Sequence, residues 1–200
     1  MQPWQPLLDF WFGDDSADAP RAARQAPLWW GKSSETDALL THRFGELAED
    51  AAEGELAHWA EVPVGRLALI LLLDQLPRNI HRDTPAAFAQ DAKARDLCLR
   101  GLSLGADKAL SPLARVFFYL PLEHAESREQ QARSVALFEA LATEQAGGPA
   151  RETFEGFADF ARRHQVIVQR FGRFPHRNAI LGRTSTPEEA EFLRQPGSGF

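Results

Sequence analysis

Two polar stretches with the same order of residue types stand out in apolar surroundings. The first phrase is Asp74-Gln75-Leu76-Pro77-Arg78-Asn79-Ile80, and the second phrase is Arg173-Phe174-Pro175-His176-Arg177-Asn178-Ala179-Ile180. Each places a proline and then an Arg-Asn pair just past an apolar run with helical spacing. Proline alone can stop a helix, so the Arg-Asn pairs are additional chemistry. Arginine binds carboxylates and phosphates through paired hydrogen bonds, and the two phrases therefore predict a polar site in which asparagines orient the ligand.

Two histidines fall on helix faces that the apolar pattern predicts to be buried. At 100° per residue, His124 aligns with Val135 and Phe138 of a long predicted helix. A buried polar group without a partner costs about 1–3 kcal/mol, so we expect these histidines to meet each other, a ligand or water. The alternative is that both are core residues with internal partners. His164 shares the three-four spacing of Phe157, Phe160, Ala161, Ile167, Val168 and Phe171.

Arginines are the expected partners of the first phrase. Asp74 lies at the predicted C-terminal end of its helix, where the helix dipole disfavours an anion, so we expect a cation beside it. Residues 160–187 include six arginines and no acidic residue. Such a basic segment either pairs with the acidic helices of the same chain or receives an external anion.

A cluster of carboxylates and an imidazole forms a third candidate. Glu123, His124 and Glu126 lie near the predicted N-terminus of a long helix. The dipole favours glutamate there, so helix capping is the simplest interpretation. Together with His164 they would instead act as acid and base, or hold a metal. Their spacing matches no established metal motif, so no metal is predicted and the cofactor is left open.

Composition excludes several classes of protein. The net charge of −6 argues against a nucleic-acid or membrane-surface binder. The longest apolar run, 67–73, is too short to span a bilayer. Met1 is followed by no signal-peptide pattern, and the single Cys98 in a Leu-rich stretch indicates a buried structural thiol; we therefore expect a cytoplasmic protein. P-loop, Gly-x-Gly-x-x-Gly, Gly-x-Ser-x-Gly and Cys-x-x-Cys motifs are absent from the sequence.

The elements that must position these residues are predicted to be helices. Ala, Leu, Arg and Glu dominate, while Val, Ile and Tyr are sparse, which favours helix over sheet. We expect one all-α domain over residues 1–200, with about eight helices packed as antiparallel pairs in a tetratricopeptide-like way. Ser34, Thr84, Ser111 and Thr186 are predicted N-caps, and Asp14-Asp15-Ser16 a polar loop. The predicted helices are 7–12, one ending at 30, 35–52, 64–76, 85–104, 112–120, 122–145, 152–171 and one beginning at 187.

Four stretches carry a resemblance to a known family. They are LDFWFG at 8–13, LALILLLDQLPRN at 67–79, FFYLPLEHAE at 117–126, and the segment from His164 that ends RFGRFPHRNAILGR at Arg183. At these positions the chain resembles the bacterial domain-of-unknown-function family 924. The resemblance implies a tetratricopeptide-like helical superfamily and brings no established activity. The family often has arginine at the position of His81, so His81 is left out of the predicted site.

The leading hypothesis is a polar pocket for a small anionic ligand, whose enzyme version hydrolyses a phosphorylated or carboxylated metabolite. Its rival is a scaffold that binds a peptide or protein partner, with the phrases acting only as locks between helices; whether the protein is an enzyme stays open. In a third hypothesis the tail Ser198-Gly199-Phe200 fills the pocket. The predicted catalytic residues are His124, His164 and Glu123. The predicted ligand-binding residues are Asp74, Gln75, Arg78, Asn79, Glu126, Arg173, His176, Arg177 and Asn178.

Overall fold

A computed structural model describes residues 2–13 and 17–199. Every regular element within these ranges is helical, as the composition predicts, and the helices pack against one another. The predicted polar loop Asp14-Asp15-Ser16 lies outside the described residues, and the tetratricopeptide-like arrangement stays a prediction. The α-helices are α1 (Gln5–Phe12), α2 (Asp18–Trp30), α3 (Ser34–Glu53), α4 (Pro63–Ile70), α5 (Leu76–Ile80), α6 (Asp91–Ser103), α7 (Pro112–Glu123), α8 (Arg128–Glu144), α9 (Arg151–Phe171) and α10 (Pro187–Phe192).

The first phrase does not end its helix, contrary to the prediction for residues 64–76. A π-helical segment, Leu71–Gln75, joins α4 to α5, and the N–H of Leu76 bonds to the carbonyl of Leu71. Pro77 lies in the first turn of α5, where its missing N–H is least costly. Asp74 therefore lies inside a continuous helical run, and its need for a cation comes from burial rather than from a helix end.

The junction between α7 and α8 also differs from the prediction. Helix α7 continues through Pro121 to Glu123, and α8 begins only at Arg128. The buried side chain of Gln131 donates to the carbonyls of Glu123 and Ala125, at 2.5 and 2.9 Å, and so satisfies carbonyls at this break. Glu123 thus lies at a helix C-terminus, which the dipole makes unfavourable for an anion, and capping cannot be its role.

The predicted helix 85–104 is divided in two. A 3₁₀ turn, Pro85–Phe88, is followed by α6, whose first residue is Asp91. The carboxylate of Asp91 is therefore placed at a helix N-terminus, where the dipole favours it. Ser111 and Thr186 cap α7 and α10, as predicted. Helix α3 is capped by Ser33 rather than by the predicted Ser34.

The buried apolar residues form one large cluster and one small one. Helix α7 lies in the middle of the large cluster, and nearly all of its residues are buried. The small cluster is Ile167, Val168 and Phe174, and it seats the second phrase against α9. Cys98 is buried as predicted, while Phe160 is half exposed, contrary to the predicted stripe. No described helix is both long enough and apolar enough to cross a membrane.

Candidate functional site

The arginines of the two phrases meet at one carboxylate. Arg78 binds Asp91 through two hydrogen bonds, Nη1 to Oδ1 at 3.0 Å and Nη2 to Oδ2 at 3.1 Å. Arg177 donates from Nη1 to Oδ2 of Asp91 at 3.3 Å. The guanidinium of Arg177 also lies 4.6 Å from the ring centroids of both Phe88 and Phe174. The phrases converge as the hypothesis of a single site requires, through an acidic residue that the predicted set did not include.

Asp74 and His124 form a dyad next to this cluster. Nδ1 of His124 lies 2.8 Å from Oδ1 of the fully buried Asp74. Gln75 donates to Oδ2 at 2.5 Å, and Nη1 of Arg78 lies 3.4 Å from Oδ1. Burial alone would raise the pKa of Asp74, but the charge of Arg78 and the contact with His124 outweigh it and hold the pKa well below its usual range. Asp74 is therefore ionised.

The protonation of His124 follows from this contact. An ionised carboxylate can only accept a hydrogen bond, so Nδ1 carries the hydrogen. Burial first, and the charge of Arg78 second, lower the pKa of the imidazole against the opposing effect of Asp74. The ring is then neutral at pH 7, with its lone pair on Nε2. This is the arrangement of a general base oriented by a carboxylate.

A cleft of about 330 Å³ lies in front of the dyad. It is bounded by the 3₁₀ turn Pro85–Phe88, the first turns of α6, the end of α7 with the residues that follow it, and the second phrase with Leu181 just after it. Its polar lining is Asp91, Arg95, His124, Glu126 and Arg177. Three residues of the predicted set therefore share one surface: His124, Glu126 and Arg177.

Glu123 and His164 form a second pair behind the dyad. Their Oε1 and Nδ1 atoms are 3.1 Å apart, and the ring of His164 lies 6.2 Å from that of His124. Burial, and next the charge of Asp74, raise the pKa of Glu123 to about 8. Burial, and next His124, lower the pKa of His164 to about 3. Both groups are neutral at pH 7, so their contact is not an ion pair.

The asparagine of the first phrase lies away from the cleft. Asn79 donates to Oδ1 of Asp37 on α3 at 3.0 Å, and Arg82 binds the same carboxylate with two bonds of 2.7 and 2.8 Å. This contact fastens α5 to α3. Asn79 therefore orients another helix, and the expectation that it orients a ligand does not fit its position.

The asparagine of the second phrase is likewise occupied. Asn178 donates to Oγ of Ser185 at 3.0 Å and to Oε2 of Glu189 at 3.3 Å. Arg173 binds Glu189 through two bonds of 2.7 and 2.8 Å. These contacts join the phrase to α10. Neither Asn178 nor Arg173 lines the cleft.

Glu126 fixes the second phrase beside the cleft. It accepts the N–H of Phe174 at 2.7 Å and two bonds from Arg183 at 2.6 and 2.9 Å. Burial would raise the pKa of Glu126, but these hydrogen bonds lower it. Burial, and next Arg177, lower the pKa of His176 to about 4. Gly199 packs close to His176, whereas Phe200, on which the tail hypothesis depends, lies outside the described residues.

Several residues of this site, Arg95 among them, were absent from the predicted set. Asp91 had a usable signal, because it is a polar residue close to the buried stripe of α6. Arg183 belongs to the acid-free basic segment, which also pointed to it. Phe88, which stacks on Arg177, carried no signal that distinguishes it from a core residue.

Comparison with known proteins places the chain. The model of the family described as a bacterial protein of unknown function (DUF924) matches residues 7–197. The chain belongs to this family. The DUF924 chain is similar to the solved structure of a protein of unknown function, ATU0120, from Agrobacterium tumefaciens. The two sequences are 38% identical, the match covers 96% of each chain, and the TM-score is 0.78. No curated protein matches it. The family resemblance seen in the sequence is thereby confirmed.

Proposed function

We propose that this DUF924 protein binds a small anionic molecule in the cleft and hydrolyses it, with His124 as general base. The observation that carries the proposal is the Asp74–His124 dyad opening onto a cleft that Arg177 also lines. A dyad used only for structure would not need to border a cavity beside a buried cation. Perturbed titratable groups in a cleft are typical of functional sites.

Arg177 is the proposed anchor for the anion. It is 6% exposed, and its one acidic partner among the described residues is Asp91, which also binds Arg78. Burial, and next the charge of Arg78, lower the pKa of Arg177 to about 10. Its Nε is buried and has no hydrogen-bond partner in the described part of the chain. An anion beside this guanidinium would offset the cost of desolvating its charge.

The proposed reaction uses water as the second reactant. Nε2 of His124 takes a proton while the water oxygen forms a bond to the acyl carbon or phosphorus of the ligand. The bond to the leaving oxygen or nitrogen then breaks, and the proton held on Nε2 passes to the leaving group. Asp74 stays ionised throughout and stabilises the imidazolium that forms between the two steps.

The test separates binding from chemistry. We expect Arg177→Gln to weaken binding of acetate or inorganic phosphate about tenfold, as expected for loss of a charge-assisted pair. We expect His124→Asn to retain binding and to lower hydrolysis of p-nitrophenyl esters at least about 100-fold. Binding is measured by calorimetry and thermal shift, and folding is checked by circular dichroism.

Arg82→Gln is the matched control, because it removes an arginine from the equivalent carboxylate pair on the opposite side of α5. It should change neither affinity nor hydrolysis. Arg177→Lys keeps the charge if the glutamine variant does not fold, and it should retain part of the binding. Wild-type affinity in a folded Arg177→Gln variant, or wild-type hydrolysis in His124→Asn, would contradict the proposal.

The alternative is a scaffold for a peptide or protein. Phe160 and Val166 on α9 are 50% and 61% exposed, and Val166 borders a surface groove that Phe192 also lines. Under this alternative no small anion shifts the melting temperature of the parent protein. Substitution of Arg177 and His124 would then change only the free energy of unfolding.

A further inference from the structure

The two carboxylates that line the cleft are already engaged. Asp91 accepts hydrogen bonds from both Arg78 and Arg177, and Glu126 accepts from Arg183 and from the N–H of Phe174. A ligand rich in hydroxyl groups needs acceptors that are not already used, because an unmatched polar group costs binding energy when it is desolvated. The cleft is therefore poorly suited to a sugar or a polyol.

The rest of the cleft wall is apolar. Phe88 and Leu181 lie on it, and the other apolar residues are Pro85, Ala89, Ala92, Pro121 and Ala125. These side chains offer no hydrogen-bonding group, so they favour a ligand whose body loses apolar surface to them. The cleft thus combines two arginines, Arg95 and Arg177, and two engaged carboxylates with an apolar remainder.

The stacking of Arg177 restricts how an anion can approach it. The ring centroids of Phe88 and Phe174 each lie 4.6 Å from the guanidinium carbon of Arg177, and Nη1 already donates to Asp91. Because the N–H bonds of a guanidinium lie in its plane, an anion that hydrogen-bonds to Arg177 approaches in that plane, which suits the two coplanar oxygens of a carboxylate. A phosphate dianion would also meet twice the repulsion from Asp91 and Glu126 that a carboxylate monoanion meets.

We infer that the cleft takes a monocarboxylate with a short acyl or aromatic body, its carboxylate on Arg177 and its body against Phe88 and Leu181. This inference rests on the proposed anion site and names the class of compound that the site binds. For hydrolysis, the substrate is such an acid carrying an ester or amide bond within reach of Nε2 of His124. The water attacks that carbonyl carbon, and the alcohol or amine leaves with the proton from His124.

The test compares hexanoate, acetate and inorganic phosphate by calorimetry on the whole chain. Each buried methylene strengthens binding about fourfold, so hexanoate should bind at least about tenfold more tightly than acetate or phosphate. Leu181→Asn should remove most of that advantage, measured as the ratio of the affinities for hexanoate and acetate. Leu104→Asn is the matched control, since Leu104 is 68% exposed and does not line the cleft.

The outcomes distinguish this inference from the proposed function. Equal affinity for the three ligands, with binding that still requires Arg177, overturns the inference and leaves the anion site in place. Tighter binding of phosphate than of hexanoate does the same. Failure of all three ligands to bind, or binding that is unchanged in folded Arg177→Gln, overturns both.

Discussion

Asp37 and Asp91 each accept paired hydrogen bonds from an arginine, but they differ in what surrounds them. Asp37 receives Asn79 and two bonds from Arg82, all from one short stretch of chain. Asp91 receives Arg78 and Arg177, which lie 99 positions apart in the sequence. The Asp37 cluster only fastens α5 to α3, whereas the Asp91 cluster borders a cleft beside His124.

In the first phrase, the contacts of the arginine and of the asparagine lie on different faces of one helix. Successive residues of a helix point about 100° apart, so Arg78 and Asn79 cannot both face the cleft. Arg78 points to the Asp91 cluster and Asn79 to the Asp37 cluster. In both phrases the arginine therefore binds Asp91, whereas the asparagine joins other elements, and the two contacts can be separated by substitution.

The largest difference between the two clusters should appear when the arginine is removed from each and the loss of stability is measured. Arg78→Ala leaves the fully buried Asp74 without its nearest guanidinium, and loss of one partner from a buried pair costs about 3–5 kcal/mol of unfolding free energy. Arg82→Ala should cost about 1 kcal/mol or less, because that pair is partly exposed and Asp37 keeps Asn79. Urea unfolding of both variants at one pH gives the two values. Equal losses would show that the clusters do not differ in burial.

Glu123 should make the unfolding free energy depend on pH, whereas Asp37 should not. Its pKa is about 8 in the folded protein against 4.5 for the ordinary side chain, so folding takes up a proton between these values and stability falls as pH rises. His164 acts oppositely, with a pKa of about 3 against 6.5, as do His124 and His176, and the opposing effect of all three fades as pH rises above 6.5. The contribution of Glu123 to the unfolding free energy should fall by about 1.5 kcal/mol in total between pH 6.5 and 8.

Glu123→Gln should remove this slope, because the amide does not titrate. Asp37→Asn is its control: the pKa of Asp37 is lowered, so it stays ionised over this window and its replacement leaves the slope in place. The measurement is urea unfolding at pH 6.5 and pH 8. A slope that persists in Glu123→Gln would assign the pH dependence to another group.

Removal of an asparagine should have the smallest effect on stability and should leave ligand binding unchanged. Asn79→Ala and Asn178→Ala each delete hydrogen bonds within locks, at a cost of about 1 kcal/mol of stability. Because neither side chain lines the cleft, affinity for hexanoate should stay unchanged. Chemical unfolding and calorimetry on the same preparations check both statements. A tenfold loss of affinity for hexanoate in either variant would show that the asparagine contributes to ligand binding.

Much of the fold was accessible from sequence. Helical spacing and caps located most of the elements, and the family motifs were specific enough to name the family that the comparison confirms. The predicted helix ends at residues 76 and 120 are wrong, although a proline follows each. Pro77 and Pro121 both lie within helical runs, because a π-helical turn precedes the first and packing in the core holds the second.

The site was only half accessible. The phrases and the histidines mark its position, but the choice of Asp91 as the shared carboxylate depends on how α6 packs against two distant segments. Arg78 and Asn79 point in different directions because the helical run continues through Pro77, whereas the sequence predicts that the helix ends at residue 76. Stacking of Phe88 on Arg177 is a tertiary contact with no local pattern to announce it.

The contact between Arg177 and Asp91 also bears on how the molecule folds. It joins residues 86 positions apart, and contacts of such long sequence separation require closure of a large loop and tend to slow folding. Arg78 and Asp91 can meet from neighbouring segments, so half of the cluster can assemble early. The cleft is completed only when the segment that carries Arg177 and Leu181 reaches Asp91, and binding of the proposed ligand during refolding would therefore report that step rather than helix formation.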